Sequence, residues 1–425
     1  MHIHVDAKAF YQTLKRVKPG LAAASTDPFI VIAAEGETVK IVAWARLRVA
    51  ISMSGAIIDQ AGACAVSHQE LLSLVQPLDG TITLKQEGTV VVVSSGGQMG
   101  RFATTITGKE PAKVHPPFGE SRTGTTYTKK KTVPRECEAC KRPLYPQDSI
   151  EETYEIVGTV TQRVTLPRAQ LLTLLRRVNW LSEWEFDKPY FQGVCLQLEE
   201  QRLSLLGADR YCLAIATTIA SGAWPRQVLV LSETLTKAAR ALPKADVCLE
   251  AVFTQHRLIK RNDEPVLDAE PFERPTSVTL TALNMEITLP LMAEKIPAYR
   301  TLIPAIQTEI ACATKETLSA LQSLAPLASH YGCHTDVCIS ASMLTFSITP
   351  AKAQEPIACY EIPLAARTGP DVRALVNETY LISALSQVSA PQIAFEFGEP
   401  DRPMVLRTNT DEDYTLVVQT MKRPA

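Results

Sequence analysis

Two cysteines three residues apart form the sharpest chemical spacing in this chain: Cys137 and Cys140, in the run CEACKRPL. The spacing is half of a zinc knuckle. A structural zinc ion takes four ligands, no second cysteine pair lies near, and His115 is the closest other donor. An exposed redox pair and an unliganded loop are the other readings. The unliganded loop is adopted, so no cofactor is expected, with zinc at Cys137 and Cys140 as the alternative. Cys333, His334 and Cys338 lie together without a ligand spacing, and alternation along a strand turns Cys338 inward. Asp263 and Glu264 are neighbouring carboxylates in a polar stretch, read as loop surface rather than an acid–base pair. Most of the ten cysteines sit in apolar runs such as DVCLEAVF, where a free thiol behaves as a small hydrophobe. The chain has no Walker loop, no GxGxxG and no nucleophile elbow.

The other patterned chemistry is cationic. Lys8, Lys15 and Arg16 fall largely away from the helical stripe Phe10, Thr13, Leu14 and Val17. Arg176 and Arg177 lie off the stripe Leu171, Leu174, Leu175 and Val178. Lys237 and Arg240 oppose Leu235, Ala238, Ala239 and Leu242. Such faces are most often simply solvated, although a phosphate backbone is bound by the same residues. A formal net charge of −2 argues against coating nucleic acid by bulk charge. It leaves room for a basic surface on an acidic body.

The elements that must position these groups recur. The stretch 191–218, FQGVCLQLEEQRLSLLGADRYCLAIATT, alternates apolar residues through Val194, Leu196 and Leu198. It does so again through Leu203, Leu205, Leu213 and Ile215. Period two with a polar break at 199–202 predicts an antiparallel hairpin with a buried face. Around it stand a strand, the helix PRAQLLTLLRRV with Pro167 near its first turn, the helix SETLTKAARAL and three further strands. Residues 1–111 follow the same order: a strand, a helix over 6–17, alternating runs, then SHQELLSLVQPL. There Ser67 and Glu70 form a capping-box pattern. Residues 307–425 run through it again, with TKETLSALQSLAPLA and NETYLISALSQV as helices and Lys315 as the one clear basic residue on a far helix face. Three matches in one order predict an internal repeat.

The expected divisions are therefore 1–111, 156–306 and 307–425. The segment 112–155 reads as an inserted, partly flexible linker, because prolines at 116, 117, 134, 143 and 146 break regular elements. Residues 257–275 read as a polar loop excursion. A chain of 425 residues suits two to four domains. No apolar run reaches the ~20 residues of a membrane helix, and MHIHVDAKAF is no secretory signal. A cytoplasmic protein is expected, with no membrane partner.

Four stretches resemble the bacterial sliding clamp, the beta subunit of DNA polymerase III. YFQGVCLQLEEQRLSLLGADRYCLAIA is similar to its second-domain hairpin, and VLVLSETLTKAARAL to its second-domain strand and helix. KIPAYRTLIP is similar to the segment between its second and third domains. YLISALSQVSAPQIAFEF with DEDYTLVVQTMKR resembles its C-terminal helix, strand and tail. The first 110 residues match in layout more than in sequence.

The resemblance implies an α+β ring-forming clamp fold: three repeated domains of two helices packed on antiparallel sheets, in a head-to-tail homodimer around duplex DNA. It implies a non-catalytic processivity factor, nucleoid-associated, whose partners are DNA bound without sequence specificity, the polymerase alpha subunit, the clamp loader and other proteins carrying clamp-binding motifs. On this reading Lys8, Lys15, Arg16, Arg176, Arg177, Lys237 and Arg240 face DNA, joined by Lys188 and Tyr190 from a DNA-touching loop. A hydrophobic peptide pocket between the second and third domains is walled by Phe191, Ala208, Arg210, Tyr211, Leu213, Pro297, Leu302, Val417, Val418 and Gln419.

The chain departs from the family at several points. Cys212 replaces an arginine, and Gln419–Thr420 stands where the family has Met-Pro, which implies an altered motif preference. AWARL at 43–47 replaces Thr-Asp-Leu-Glu, the loop 21–27 lacks an arginine, and Pro189 replaces an aromatic. A peptide-binding scaffold that does not encircle DNA is the alternative function, and a metal enzyme built on Cys137 and Cys140 is a third.

Overall fold

The computed structural model describes residues 1–21, 29–44, 47–96, 98–103, 123–136, 143–183, 189–266, 269–293, 299–350, 353, 355–399, 401–408 and 413–421. Cys137, Cys140, His115, Lys188 and Pro297 lie outside them, as do most of the 21–27 loop and residues 45–46. Six α-helices occur among the described residues: α1 (Ala7–Arg16), α2 (His68–Val75), α3 (Arg168–Asn179), α4 (Ser232–Ala241), α5 (Thr314–Tyr331) and α6 (Glu378–Leu385). Apart from four short 3-10 helices, the remaining elements among the described residues are antiparallel strands, so the fold is α+β and sheet-rich.

The chain divides into two compact units. The first comprises Met1–Leu166, Trp224–Arg226 and Lys237–Leu291. Its helices form where the stripes predict them. Asp6 caps α1 through Ala9 N at 2.8 Å, and Ser67 caps α2 through Glu70 N at 3.3 Å. The two helices pack together, and His68 Nε2 reaches Leu14 O at 2.8 Å in the buried seam. A five-stranded sheet runs in the order 57–60, 2–6, 81–87, 90–95, 98–103. A ten-stranded sheet carries strands from 29–67 beside strands from 126–289. They meet where Met285–Leu289 pairs with Arg48–Met53, with Ile287 opposite Val49.

The same sheet takes in the described strands of the segment read as a linker. Thr126–Glu136 pairs with Pro143–Pro167 in a long ribbon that continues onto Asp246–Arg261 and Phe272–Ala282. The prolines do not break it because of where they fall. Pro134 and Pro146 lie in the register shift between the pairs Val133–Asp148 and Arg135–Leu144, and Pro143 opens its strand. Bulges and strand starts tolerate a missing N–H. Within the excursion read at 257–275, residues 257–261 and 264–265 are strand about a turn at Asn262 and Asp263, both at positive φ, and strand resumes at Phe272. Tyr127 stacks on Tyr154 directly opposite at 5.5 Å, and His256 on Phe272 at 5.7 Å. Lys130–Glu151 and Arg257–Glu155 pair at 2.8 Å. Cross-strand pairs of this kind hold a ribbon together without a deep core.

The second unit comprises Pro167–Ala223, Gln227–Thr236 and Met292–Ala425. A nine-stranded sheet runs 228–231, 193–199, 202–208, 212–219, 414–418, 404–408, 392–397, 308–313, 366–368. Strands from 193–231 meet strands from 308–418 where Cys212–Ile219 pairs with Tyr414–Val418. A four-stranded sheet runs 358–363, 343–348, 335–340, 372–376, and α5 and α6 pack together. Cys338 is half-exposed on the strand face opposite buried Val337 and Ile339, not turned inward. Gly207 lies so close to the carbonyl of Val178, at the end of α3, that any side chain there would collide with it.

Candidate partner-binding cleft and basic helix faces

The cleft grows out of the predicted hairpin. Gly193–Glu199 and Arg202–Ala208 pair in register about Glu200 and Gln201, both at positive φ. These are the conditions of a tight two-residue turn. The chain then turns again at Asp209. Its Oδ1 accepts from Tyr211 N at 2.7 Å and Cys212 N at 2.6 Å, which is an Asx turn. Its Oδ2 accepts from Tyr380 Oη of α6 at 2.8 Å. The carboxylate is buried. Desolvation raises its pKa above the ordinary carboxylate value, and the three hydrogen bonds oppose that rise. The Tyr380 hydroxyl is pushed up in turn, by burial first and then by Asp209.

Past this turn a row of apolar residues crosses four strands on one face. Ala208 stands opposite Leu213, Leu213 opposite Val417, and Val417 opposite Val405. Cys195, Leu206, Leu229 and Tyr299 complete the buried cluster, with Tyr190, Met292 and Ile303 packed against it. Burial pushes the Cys195 thiol to about 12, so it serves as a hydrophobe. Tyr299 closes the segment over the sheet, its hydroxyl donating to Gln197 Oε1 at 2.9 Å. Tyr211 and Leu302 remain about half exposed, at 52% and 51%. Apolar side chains left open beside a buried apolar floor suit the anchor residues of a short peptide.

Of the residues named for this pocket, Ala208, Leu213 and Val417 come together on the floor. Phe191 is buried, its ring 4.4 Å from that of Tyr190. Arg210 is exposed and Gln419 half-buried, with Gln419 N bonded to Tyr211 O at 2.8 Å. Val418 does not join them: it pairs with Cys212 and Met404, and alternation along the strand turns it to the opposite face. Tyr190, assigned from the sequence to a DNA-touching loop, is half-buried against the apolar cluster. Tyr299, Ile303 and Met292 were missed; the 295–304 segment was the signal, since Tyr299 and Ile303 lie within it. A cleft of about 280 Å³ shares Ile215 and Ile303 with this face. A larger one, about 570 Å³, lies in the third repeat between Thr308, Val372, Phe397 and Met421, and none of the named residues lines it.

The basic residues divide more sharply than their spacing suggested. Lys8, Lys15 and Arg16 are exposed on α1, Arg176 on α3, and Lys237 and Arg240 on α4. Lys8 pairs with Asp79 at 3.1 Å, and Lys15 Nζ lies 5.2 Å from the Tyr11 ring centroid. Arg177 is buried at 3% exposure, its guanidinium 6.0 Å from the Tyr414 ring centroid. It stands three residues after Leu174, at the margin of the stripe, and α3 packs on strands 202–208 and 212–219. The sheet is wide enough to cover that margin, so Arg177 is removed from the basic face.

Residues 300–422 match the family model described as DNA polymerase III beta subunit, C-terminal domain. Among solved structures, the beta subunit of the DNA polymerase of Streptococcus pyogenes is 13% identical, with a TM-score of 0.67 and full coverage of both chains. The DNA polymerase III subunit beta from Pseudomonas aeruginosa is 15% identical at a TM-score of 0.67, again with both chains fully covered. The DNA polymerase sliding clamp from Bacillus subtilis is 16% identical at 0.66, also across both full lengths. The whole chain thus has the fold of these sliding clamps, and residues 300–422 are similar to the C-terminal domain of the family model.

Proposed function

We propose that the protein is a DNA sliding clamp, a non-catalytic processivity factor that encircles duplex DNA as a head-to-tail homodimer. On this reading it tethers a replicative polymerase and other partners through the cleft floored by Ala208, Leu213 and Val417. The observation that carries the ring is the pattern of sheet joints. Three repeats make two joints within the chain, at 285–289 with 48–53 and at 212–219 with 414–418. Several sheet edges stay open among the described residues, two of them being Gln98–Ala103 near the start of the chain and Ala358–Pro363 near its end. Ile357 and Tyr360 are each 44% exposed at the second edge. An open edge bearing apolar side chains invites another chain. One such joint per protomer closes a ring of two chains. The exposed cations of α1, α3 and α4 then supply phosphate contacts without base contacts, which permit sliding.

Light scattering should give a particle of twice the 46.5 kDa chain, and Tyr360→Asp should return it to monomer. Loaded protein should stay on nicked circular DNA and leave once the circle is cut. A wild-type monomer without retention would refute the ring. The poverty of basic residues in the third repeat favours a second reading, a peptide-binding scaffold that does not encircle DNA. Reversing charge at Arg176, Lys237 and Arg240 separates the two: the clamp loses retention, the scaffold loses nothing. Arg177 is left out of that test because it is buried.

A further inference from the structure

A histidine pair near the start of the chain takes no part in this reading. His2 and His4 lie on one face of the strand His2–Asp6, while Ile3 and Val5 are buried on the other. The neighbouring edge strand Ile57–Gln60 pairs with it irregularly. His2 stands opposite Gln60 and Ile3 opposite Ile58, so Asp59 is the extra residue of a bulge. A bulge re-aims the side chain it carries, and here Asp59 Oδ2 comes to 3.1 Å from His2 Nδ1 and 2.9 Å from His4 Nε2. The three donor atoms lie within 4.8 Å of one another.

These are the distances a metal ion would use. A tetrahedral zinc ion with bonds of about 2.0 Å separates its ligand atoms by about 3.3 Å. Two imidazoles and a carboxylate suit zinc and its transition-metal neighbours better than calcium or magnesium. Orientation is supplied from the other side. Thr83, opposite His4 on the strand Thr81–Glu87, places Oγ1 2.9 Å from His4 Nδ1. With Nδ1–H donating to that oxygen, the Nε2 lone pair faces Asp59, the usual support of a metal-bound histidine. Lys85, opposite His2, is engaged by Glu87 at 2.9 Å. All three donors keep some exposure, at 28%, 28% and 45% of their side chains, so an ion and a water ligand have access.

We infer that His2, His4 and Asp59 form a site for a zinc-like divalent cation, with water completing the shell. The ion would tie the edge strand 57–60 to the strand 2–6. The test uses Zn²⁺ alone, titrated against a chromophoric chelator, with the untagged full chain. Carrying Cys137→Ser and Cys140→Ser throughout removes the thiolates as competitors. That chain should bind one equivalent. His4→Gln and Asp59→Asn should each weaken it by tenfold or more, and Thr83→Val by about tenfold through loss of orientation. Co²⁺ should give weak visible bands without a thiolate charge-transfer band. The site is refuted if the cysteine-free chain binds no equivalent, or if His2→Gln, His4→Gln and Asp59→Asn all leave binding unchanged. Unaltered thermal unfolding without metal confirms that each variant is folded.

Discussion

The hairpin at 193–208 and the ribbon at 126–167 are both antiparallel pairs, stabilised in opposite ways. In the hairpin nearly every residue of Gly193–Glu199 is buried: Val194, Leu196 and Leu198 on one face, Gly193, Cys195 and Gln197 on the other. In the ribbon, Thr126 and Thr128–Lys130 are exposed and Tyr127 is half-buried. Its stability is lateral: aromatic stacks, lysine–glutamate pairs and a Thr128–Thr153 hydroxyl contact at 3.0 Å. Burial makes a strand visible as apolar periodicity. Lateral pairing leaves no such trace, because each partner lies many residues away.

Truncation should expose the difference. Leu206→Ala opens a cavity in the cluster under the cleft and should cost about 2–5 kcal/mol. Phe272→Ala on the ribbon removes a half-buried ring and should cost clearly less. Urea unfolding of both variants checks this, and equal losses would abolish the distinction. Next in size, Tyr380→Phe deletes the hydroxyl that donates to the buried Asp209. The loss should be about 1–3 kcal/mol, with peptide affinity falling as the Asp209 turn loosens. An unchanged unfolding midpoint would mean that water replaces the hydroxyl.

The smallest effect depends on pH. His256 is buried in the ribbon, with Thr254 Oγ1 2.7 Å from Nε2 and Tyr127 Oη 3.0 Å from Nδ1. Burial lowers its pKa below 6.5, helped by the charges of Arg274 and Lys129. Below 6.5 the unfolded chain therefore binds the proton more readily than the folded one. The contribution is fully present above 6.5 and is lost as pH falls through the lowered folded value. His256→Gln keeps a donor and an acceptor but removes the proton, so its stability should fall less between pH 7.5 and 5. Parallel pH profiles for the two proteins would show that His256 is no part of the acid response.

The metal-site residues follow the same rule. His2 and His4 stand two apart on a strand that the sequence announces, yet nothing local points to Asp59, 55 residues further on. Of the cleft, Leu213, Val417 and Ala208 were accessible through the resemblance. Val418 was misassigned to the same wall because two adjacent strand residues cannot both face one side.

Amino-acid order alone determined the helices, their caps at Asp6 and Ser67, and the hairpin. Each depends on neighbours within a few residues, or on burial that imposes a period of two or 3.6. Tertiary structure alone decided that Arg177 lies under Tyr414, that Tyr190 packs against the apolar cluster, and that prolines at a register shift leave a ribbon intact. Those outcomes depend on which strand arrives alongside, and pairing partners are set by the packing of the whole sheet.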